Sequence, residues 1–254
     1  MCSEAFRKAV AEAMGPTGVI VPEYREKLDD VAARMGLSAK SAKLAFHAAV
    51  RLRMAPLIEQ IINEFERSVL TKDQLARKTG KDAGTDFFVE SDDSDLGIEG
   101  GPAVTSALLS LIDFYVDNKV IETDDEGNET FPVNAAQIGI DTQVLTALYQ
   151  NFVVAAFGVQ GPKLKRYEEG QRKLSGILGI SDEEKAKIHE EIGGTVIQRF
   201  VNQELGKSGK ITTQGLTFLA NINTRLAMPS DVFDKMVQKY KAQYLSDKTE
   251  GLFR

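Results

Sequence analysis

A four-residue signal that stops one helix and starts another returns five times along this 254-residue chain. The copies are Met35-Gly36-Leu37-Ser38, Leu96-Gly97-Ile98-Glu99, Ile138-Gly139-Ile140-Asp141, Leu178-Gly179-Ile180-Ser181 and Leu226-Ala227-Met228-Pro229. Each reads apolar, small, apolar, helix starter. Glycine at the second place enters the left-handed region without a Cβ clash and so ends a helix. The apolar residue after it folds back on the last turn, and Ser or Asp then accepts a hydrogen bond from the free N–H groups of the next helix. Helices joined this tightly lie antiparallel or nearly so. The intervals are 61, 42, 40 and 48 residues, and a recurrence of this kind is the signature of a helical array.

The repetition extends beyond the turn. Gly18–Ser38 aligns with Gly209–Pro229 without a gap, matching Ile20 to Ile211, Leu28 to Leu219, Val31 to Ile222, Arg34 to Arg225 and Met35 to Leu226. Any two amphipathic helices share the apolar matches. They do not in general share the turn that follows. Ser181 with Glu184, and Thr71 with Gln74, have the spacing of a capping box. The fifth copy lacks its glycine, yet Pro229 or Ser230 can open a helix.

Periodicity predicts helices over Ser3–Met14, Pro22–Met35, Ser38–Arg53, Leu57–Val69, Thr71–Lys78, Ala103–Asn118, Thr142–Phe157, Lys163–Leu178, Asp182–Leu205, Thr213–Leu226 and Asp231–Leu245. Gly193-Gly194 predicts a kink or break within the ninth of these. Polar, acidic stretches at about 79–102 and 121–132 read as flexible loops, the tail 246–254 as frayed, and no segment as a convincing strand. None of these short amphipathic helices hides its apolar face alone. The expectation is an all-α, elongated, right-handed array of antiparallel helix pairs, a HEAT-like α-solenoid forming a single domain over 1–254. A compact all-α globule is the competing arrangement.

The balance of 31 basic against 37 acidic residues gives −6, which argues against a nucleic-acid partner. Cys2 is the sole cysteine, so one chain holds no disulfide framework and no cysteine-based metal site. Met1–Met14 is charged and amphipathic, unlike a signal peptide. No apolar run reaches the roughly 18–20 residues that span a bilayer.

Chemistry is sparse. His47 and His189 are the only histidines, and neither has a companion ligand at helical spacing, so both read as ordinary surface or inter-helix residues. The acidic runs at Asp124–Asn128 and Asp92–Asp95 fail the EF-hand pattern of glycine at the sixth place and glutamate at the twelfth. No phosphate-binding glycine loop or nucleophile elbow is present. No catalytic, cofactor-binding or metal residue is expected. The Val144–Phe157 helix is apolar nearly all round. It reads as a central core helix, with Tyr149, Phe152 and Phe157 as candidates for a partner-binding groove if it lies open.

Gly209-Lys210-Ile211-Thr212-Thr213 leading to Leu226-Ala227-Met228-Pro229 resembles the C-terminal repeats of a known family. So does Leu178-Gly179-Ile180-Ser181-Asp182-Glu183-Glu184 leading to Ile188-His189-Glu190-Glu191. The family is the large scaffold subunit of the chloroplast inner-envelope protein import translocon. The likeness covers most of Gly18–Leu245. It implies a non-enzymatic, HEAT-like scaffold on the stromal side of that membrane. Its implied partners are preprotein transit peptides, stromal Clp-type chaperones and other translocon subunits. The family's N-terminal membrane anchor has no counterpart here, and the single Cys2 leaves thiol regulation in doubt. The alternative from another class is an all-α ligand-binding or hydrolase-like domain with an inter-helix pocket. A pocket holding one histidine, with a carboxylate in hydrogen-bonding reach, favours that alternative.

Overall fold

A computed structural model describes residues 2–15, 18–79, 101–157, 159 and 163–252, with backbone alone at 70–79, 101–102 and 250–252. The described residues are almost entirely helical. In order they form α1 (Cys2–Met14), α2 (Pro22–Arg34), α3 (Ala39–Thr79), α4 (Gly101–Asp117), a two-stranded hairpin of β1 (Glu122–Thr123) and β2 (Glu129–Thr130), and a 3-10 helix (Ala135–Ile138). Then follow α5 (Thr142–Phe157), α6 (Leu164–Leu178), α7 (Asp182–Ser208), α8 (Thr213–Leu226) and α9 (Ser230–Leu252).

The stop signals act as their chemistry requires. Gly36, Gly139, Gly179 and Ala227 all take left-handed backbone, with φ of 67°, 81°, 80° and 48°. The copy at Leu96–Glu99 lies outside the described residues. Ser38 Oγ accepts the Ser41 N–H at 3.2 Å, and Asp141 Oδ1 accepts the Gln143 N–H at 2.8 Å. Ser181 and Glu184 complete a reciprocal capping box at the start of α7. Gly139 differs in that it closes a 3-10 helix and not an α-helix.

The aligned segments agree in backbone as well as in sequence. Gly18 and Gly209, which open them, are both left-handed, at φ 75° and 69°, and so are Gly36 and Ala227, which close them. Between these points lie α2 and α8, each carrying a buried leucine at the matched place, Leu28 and Leu219. Ala227 holds the left-handed turn despite its Cβ, because Leu226 and Met228 on either side are buried and fix the chain there.

Backbone contacts gather into two compact units, Met1–Ile180 and Ser181–Arg254. In the first, α1 packs on α2 and α3, α3 on α4 and α5, α4 on α5 and α6, and α5 on α6. Its core holds Met54, Ile58, Leu108, Tyr115, Leu145, Tyr149, Phe152 and Leu174, all fully buried. In the second, α7 packs on α8 and α9, with Ile197, Val201 and Leu226 fully buried. Every principal packing joins helices one or two apart in the sequence. Each unit thus has its own core.

Four local expectations are corrected. The three helices expected between Ser38 and Lys78 are one, α3, running through Pro56. Proline in a helix interior costs about 3 kcal/mol. Here Val50, Met54, Ile58 and Ile61 keep one buried seam across it, and that burial outweighs the lost hydrogen bond. The polar loop at 121–132 is a small hairpin, pairing Glu122 with Thr130 and Thr123 with Glu129. Asp124 closes its tip by accepting the N–H groups of Glu126 and Asn128. The tail is helical to Leu252. The other acidic loop, at about 79–102, falls largely outside the described residues.

The fourth correction is the most informative. Helix α7 passes unbroken through Gly193-Gly194. These glycines serve close approach: a Cβ on Gly193 would lie 2.8 Å from Leu226 Cδ1, and one on Gly194 3.0 Å from Tyr240 Oη. Gly206, in the same helix, has no neighbour nearer than 3.6 Å, the Tyr244 hydroxyl. Alanine at Gly206 therefore raises the thermal midpoint, by up to about 1 kcal/mol of helix propensity. Valine at Gly193 overpacks the core and lowers the midpoint, through a loss of about 1–3 kcal/mol of stability. Paired thermal melts of the two variants check this, and a rise in both would refute close packing at Gly193.

Candidate functional site

The α2–α3 hairpin turns at Gly36, and the facing positions near the turn are small: Ala32 and Ala33 on α2, Ala39 and Ala42 on α3. Where larger residues would interdigitate, these alanines leave a cleft of about 480 Å3, a size that suits a small ligand. Its apolar floor comes from Phe6 of α1, Leu28, Leu37 and Phe46. Its polar rim comes from three places: Arg25 and Asp29 on α2, Lys43 and His47 on α3, and Lys119 and Glu122 after α4.

Asn118 sets this geometry. Its side chain is fully buried. Oδ1 accepts the Ile20 N–H at 3.0 Å, and Nδ2 donates to the carbonyls of Gly18 and Phe114 at 2.9 Å each. The Asn118 carbonyl accepts a hydrogen bond from Arg25 Nη1 at 2.7 Å. The end of α4 is thereby tied to the segment that leads into α2. Lys119 follows in left-handed backbone, φ 49°, which sets its side chain at the rim. Arg25 also lies over the Phe46 ring, 5.2 Å from its centroid.

Glu122 bridges two residues of α3. Its Oε2 lies 2.7 Å from Lys43 Nζ, and its Oε1 lies 3.1 Å from His47 Nε2. Burial holds the His47 imidazole below its ordinary pKa, against the opposing pull of Glu122, with Lys43 and Arg51 adding to the depression. The carboxylate that no helical spacing could supply comes instead from the hairpin. None of the lining residues carries a hydroxyl or a thiol. The cleft is thus shaped to bind, with burial biasing His47 toward its neutral form, but it offers no side-chain nucleophile of the serine or cysteine kind.

His189 belongs to the second unit. It is buried, with Nδ1 2.6 Å from the Leu226 carbonyl. That carbonyl ends α8 and lacks an intrahelical partner, so Nδ1 carries the proton and donates to it. Burial depresses the His189 pKa, the hydrogen bond to Leu226 opposes this, and Lys185 reinforces it. Both histidines are therefore inter-element residues, and neither belongs to a metal cluster among the described residues.

A pH dependence follows. The unfolded chain takes up protons near the ordinary histidine value of 6.5, while the folded chain holds both imidazoles neutral until the pH is lower. The histidine contribution is complete above about pH 6.5 and is lost as pH falls below it toward the depressed values. Urea midpoints fall between pH 7 and 5, and a His189→Gln variant falls less steeply. An unchanged slope in the variant would remove His189 from the cause.

The sequence candidates for a partner-binding groove are corrected. Tyr149 and Phe152 are fully buried and form the core of the first unit, and Phe157 is half-buried. Burial raises the Tyr149 phenol pKa, with a hydrogen bond to Gln171 opposing. The cleft residues Arg25, Lys119 and Glu122 were not candidates, because they come together only in the fold. The one legible hint was the run of alanines flanking the Gly36 turn. The Asp124–Asn128 run, tested in sequence as a calcium loop, spends its Asp124 carboxylate on the hairpin tip.

These features define an all-α protein whose first unit carries a small cleft. The chain matches no protein-family model, no curated protein and no solved structure. Among the described residues no helix is long and apolar enough to cross a membrane.

Proposed function

We propose that this chain is a non-enzymatic scaffold of chloroplast protein import. In this reading it works on the stromal side of the inner envelope and offers helical surfaces to transit peptides, Clp-type chaperones and other translocon subunits. The supporting observation is the recurrence of one helix between two left-handed turns, Gly18 to Gly36 and again Gly209 to Ala227. With the principal packing among the described residues between helices one or two apart, that recurrence suits a HEAT-like α-solenoid, whose concave faces bind other chains. The plastid setting rests on the resemblance of Leu178–Glu191 and Gly209–Pro229 to the family's repeats. Transit peptides are rich in Arg and Ser and poor in acid, and a chain of net charge −6 attracts them at low salt.

The test is a fluorescence-anisotropy titration with a labelled transit peptide at two salt concentrations. Saturable binding that weakens with salt is expected; no binding, or salt-independent binding, refutes the role. Small-angle scattering tests the solenoid separately. A compact globule of this length has a radius of gyration of roughly 18 Å, and the solenoid gives a clearly larger value.

A second reading, an all-α ligand-binding domain, is favoured by one observation. The α2–α3 cleft holds His47 with the Glu122 carboxylate 3.1 Å away.

A further inference from the structure

We infer that the cleft between α2 and α3 binds an amphipathic anion, an alkyl carboxylate of the fatty-acid class, with its tail on the apolar floor and its head between Arg25 and Lys119. The inference rests on the ligand-binding reading of the cleft and is independent of the import role.

Charge decides the sign of the ligand. The rim carries three cations and two carboxylates, in a chain that is acidic overall. One carboxylate, Glu122, is already engaged by Lys43 and His47. That leaves Arg25 and Lys119. Arg25 donates to a neutral carbonyl, lies over an aromatic ring, and among the described residues has no carboxylate in ion-pair contact. Asp29 acts on it only from a distance. It is half-buried, and an incompletely neutralised guanidinium in that position is costly. The Lys119 backbone N–H donates to the Val116 carbonyl, while its side chain makes no hydrogen bond or ion pair among the described residues. Both cations line the cleft, and Arg25 grips the carbonyl of Asn118, the residue before Lys119. An anionic head placed there offsets both charges through charge-assisted hydrogen bonds.

Shape and polarity decide the rest of the ligand. Phe6, Leu28, Leu37 and Phe46 form a floor without hydrogen-bonding side chains, and the flanking alanines keep it open. A short polar anion such as acetate leaves that floor wet. A flexible alkyl chain covers it, each buried methylene adding to the affinity.

The experiment is isothermal titration calorimetry of the full chain with dodecanoate, kept below its micelle-forming concentration. Acetate and dodecyltrimethylammonium are the controls. Dodecanoate is expected to bind saturably, at least about tenfold more tightly than either. Lys119→Gln and Arg25→Gln each weaken it about tenfold, and Ala42→Leu, which fills the cleft, abolishes it. Unchanged circular dichroism melts establish that each variant is folded. Lys119→Gln, whose side chain has no partner to lose, keeps the test valid if another variant unfolds. Vesicles containing anionic phosphatidylglycerol separate a free ligand from a membrane headgroup: no cleft-dependent vesicle binding is expected. Dodecyltrimethylammonium binding as tightly as dodecanoate, an unaffected Lys119→Gln, or vesicle binding abolished by Ala42→Leu would each overturn the assignment. If dodecanoate fails to bind at all, the ligand-binding reading of the cleft falls with it. If it binds regardless of the head group, only the charge assignment falls.

Discussion

Truncating Phe152 to alanine lowers the unfolding free energy by about 3–5 kcal/mol, the range for a fully buried aromatic. Phe152 has no exposed surface. Its ring stacks on Tyr167, with centroids 5.5 Å apart and planes 18° from parallel. It also fills the space left by Gly170 on α6, where a Cβ would come within 3.0 Å of Phe152 Cζ. Helices α5 and α6 meet closely around this ring, so they cannot simply collapse into the void. Urea denaturation followed by circular dichroism measures the loss. The half-buried Phe157, five residues on, gives the comparison, and its alanine variant costs much less. A Phe152→Ala protein of unchanged stability would mean that the ring works at a surface, as the partner-groove reading of this helix allowed.

Replacing Asn118 by alanine costs about 3 kcal/mol, although the change removes only a small polar side chain. The Asn118 amide makes three hydrogen bonds in a fully buried place. Its loss leaves the Ile20 N–H and the Gly18 carbonyl without these partners, and each orphaned buried group costs roughly 1–3 kcal/mol. Asn118→Asp does no better, because a carboxylate oxygen then faces two carbonyls where an amide had donated. Hydrogen exchange adds a local readout. The Ile20 amide exchanges much faster in Asn118→Ala, while amides in the second unit keep their rates. If the Ile20 amide stays protected, another group has taken over the bond and the assigned role fails.

Much of the fold was legible, and the reason is local. Chain reversals at Gly36, Gly139, Gly179 and Ala227 depend on residues within a few positions of each other. Start signals at Ser38, Asp141 and Ser181 are equally local. Errors arose where a local preference met a distant partner. Pro56 signals a helix end, but the seam of Val50, Met54, Ile58 and Ile61 lies against other elements and carries α3 through. Gly193-Gly194 signals a break, but Leu226 and Tyr240 need the space. The site was less legible still. His47 shows no partner in its own helix, and Glu122 reads as a loop residue.

The amino-acid order alone determined that the chain is helical, where most helices stop, and that one turn–helix–turn unit recurs. Those properties follow from backbone sterics, caps and a 3.6-residue apolar period, all acting over a few residues. Tertiary structure alone decided that α3 is continuous, that Tyr149 and Phe152 are core, and that Arg25, Lys119 and the His47–Glu122 pair meet around one cleft. Such outcomes depend on which distant surfaces exclude water together and which buried polar groups find partners, and no single stretch of chain contains that information.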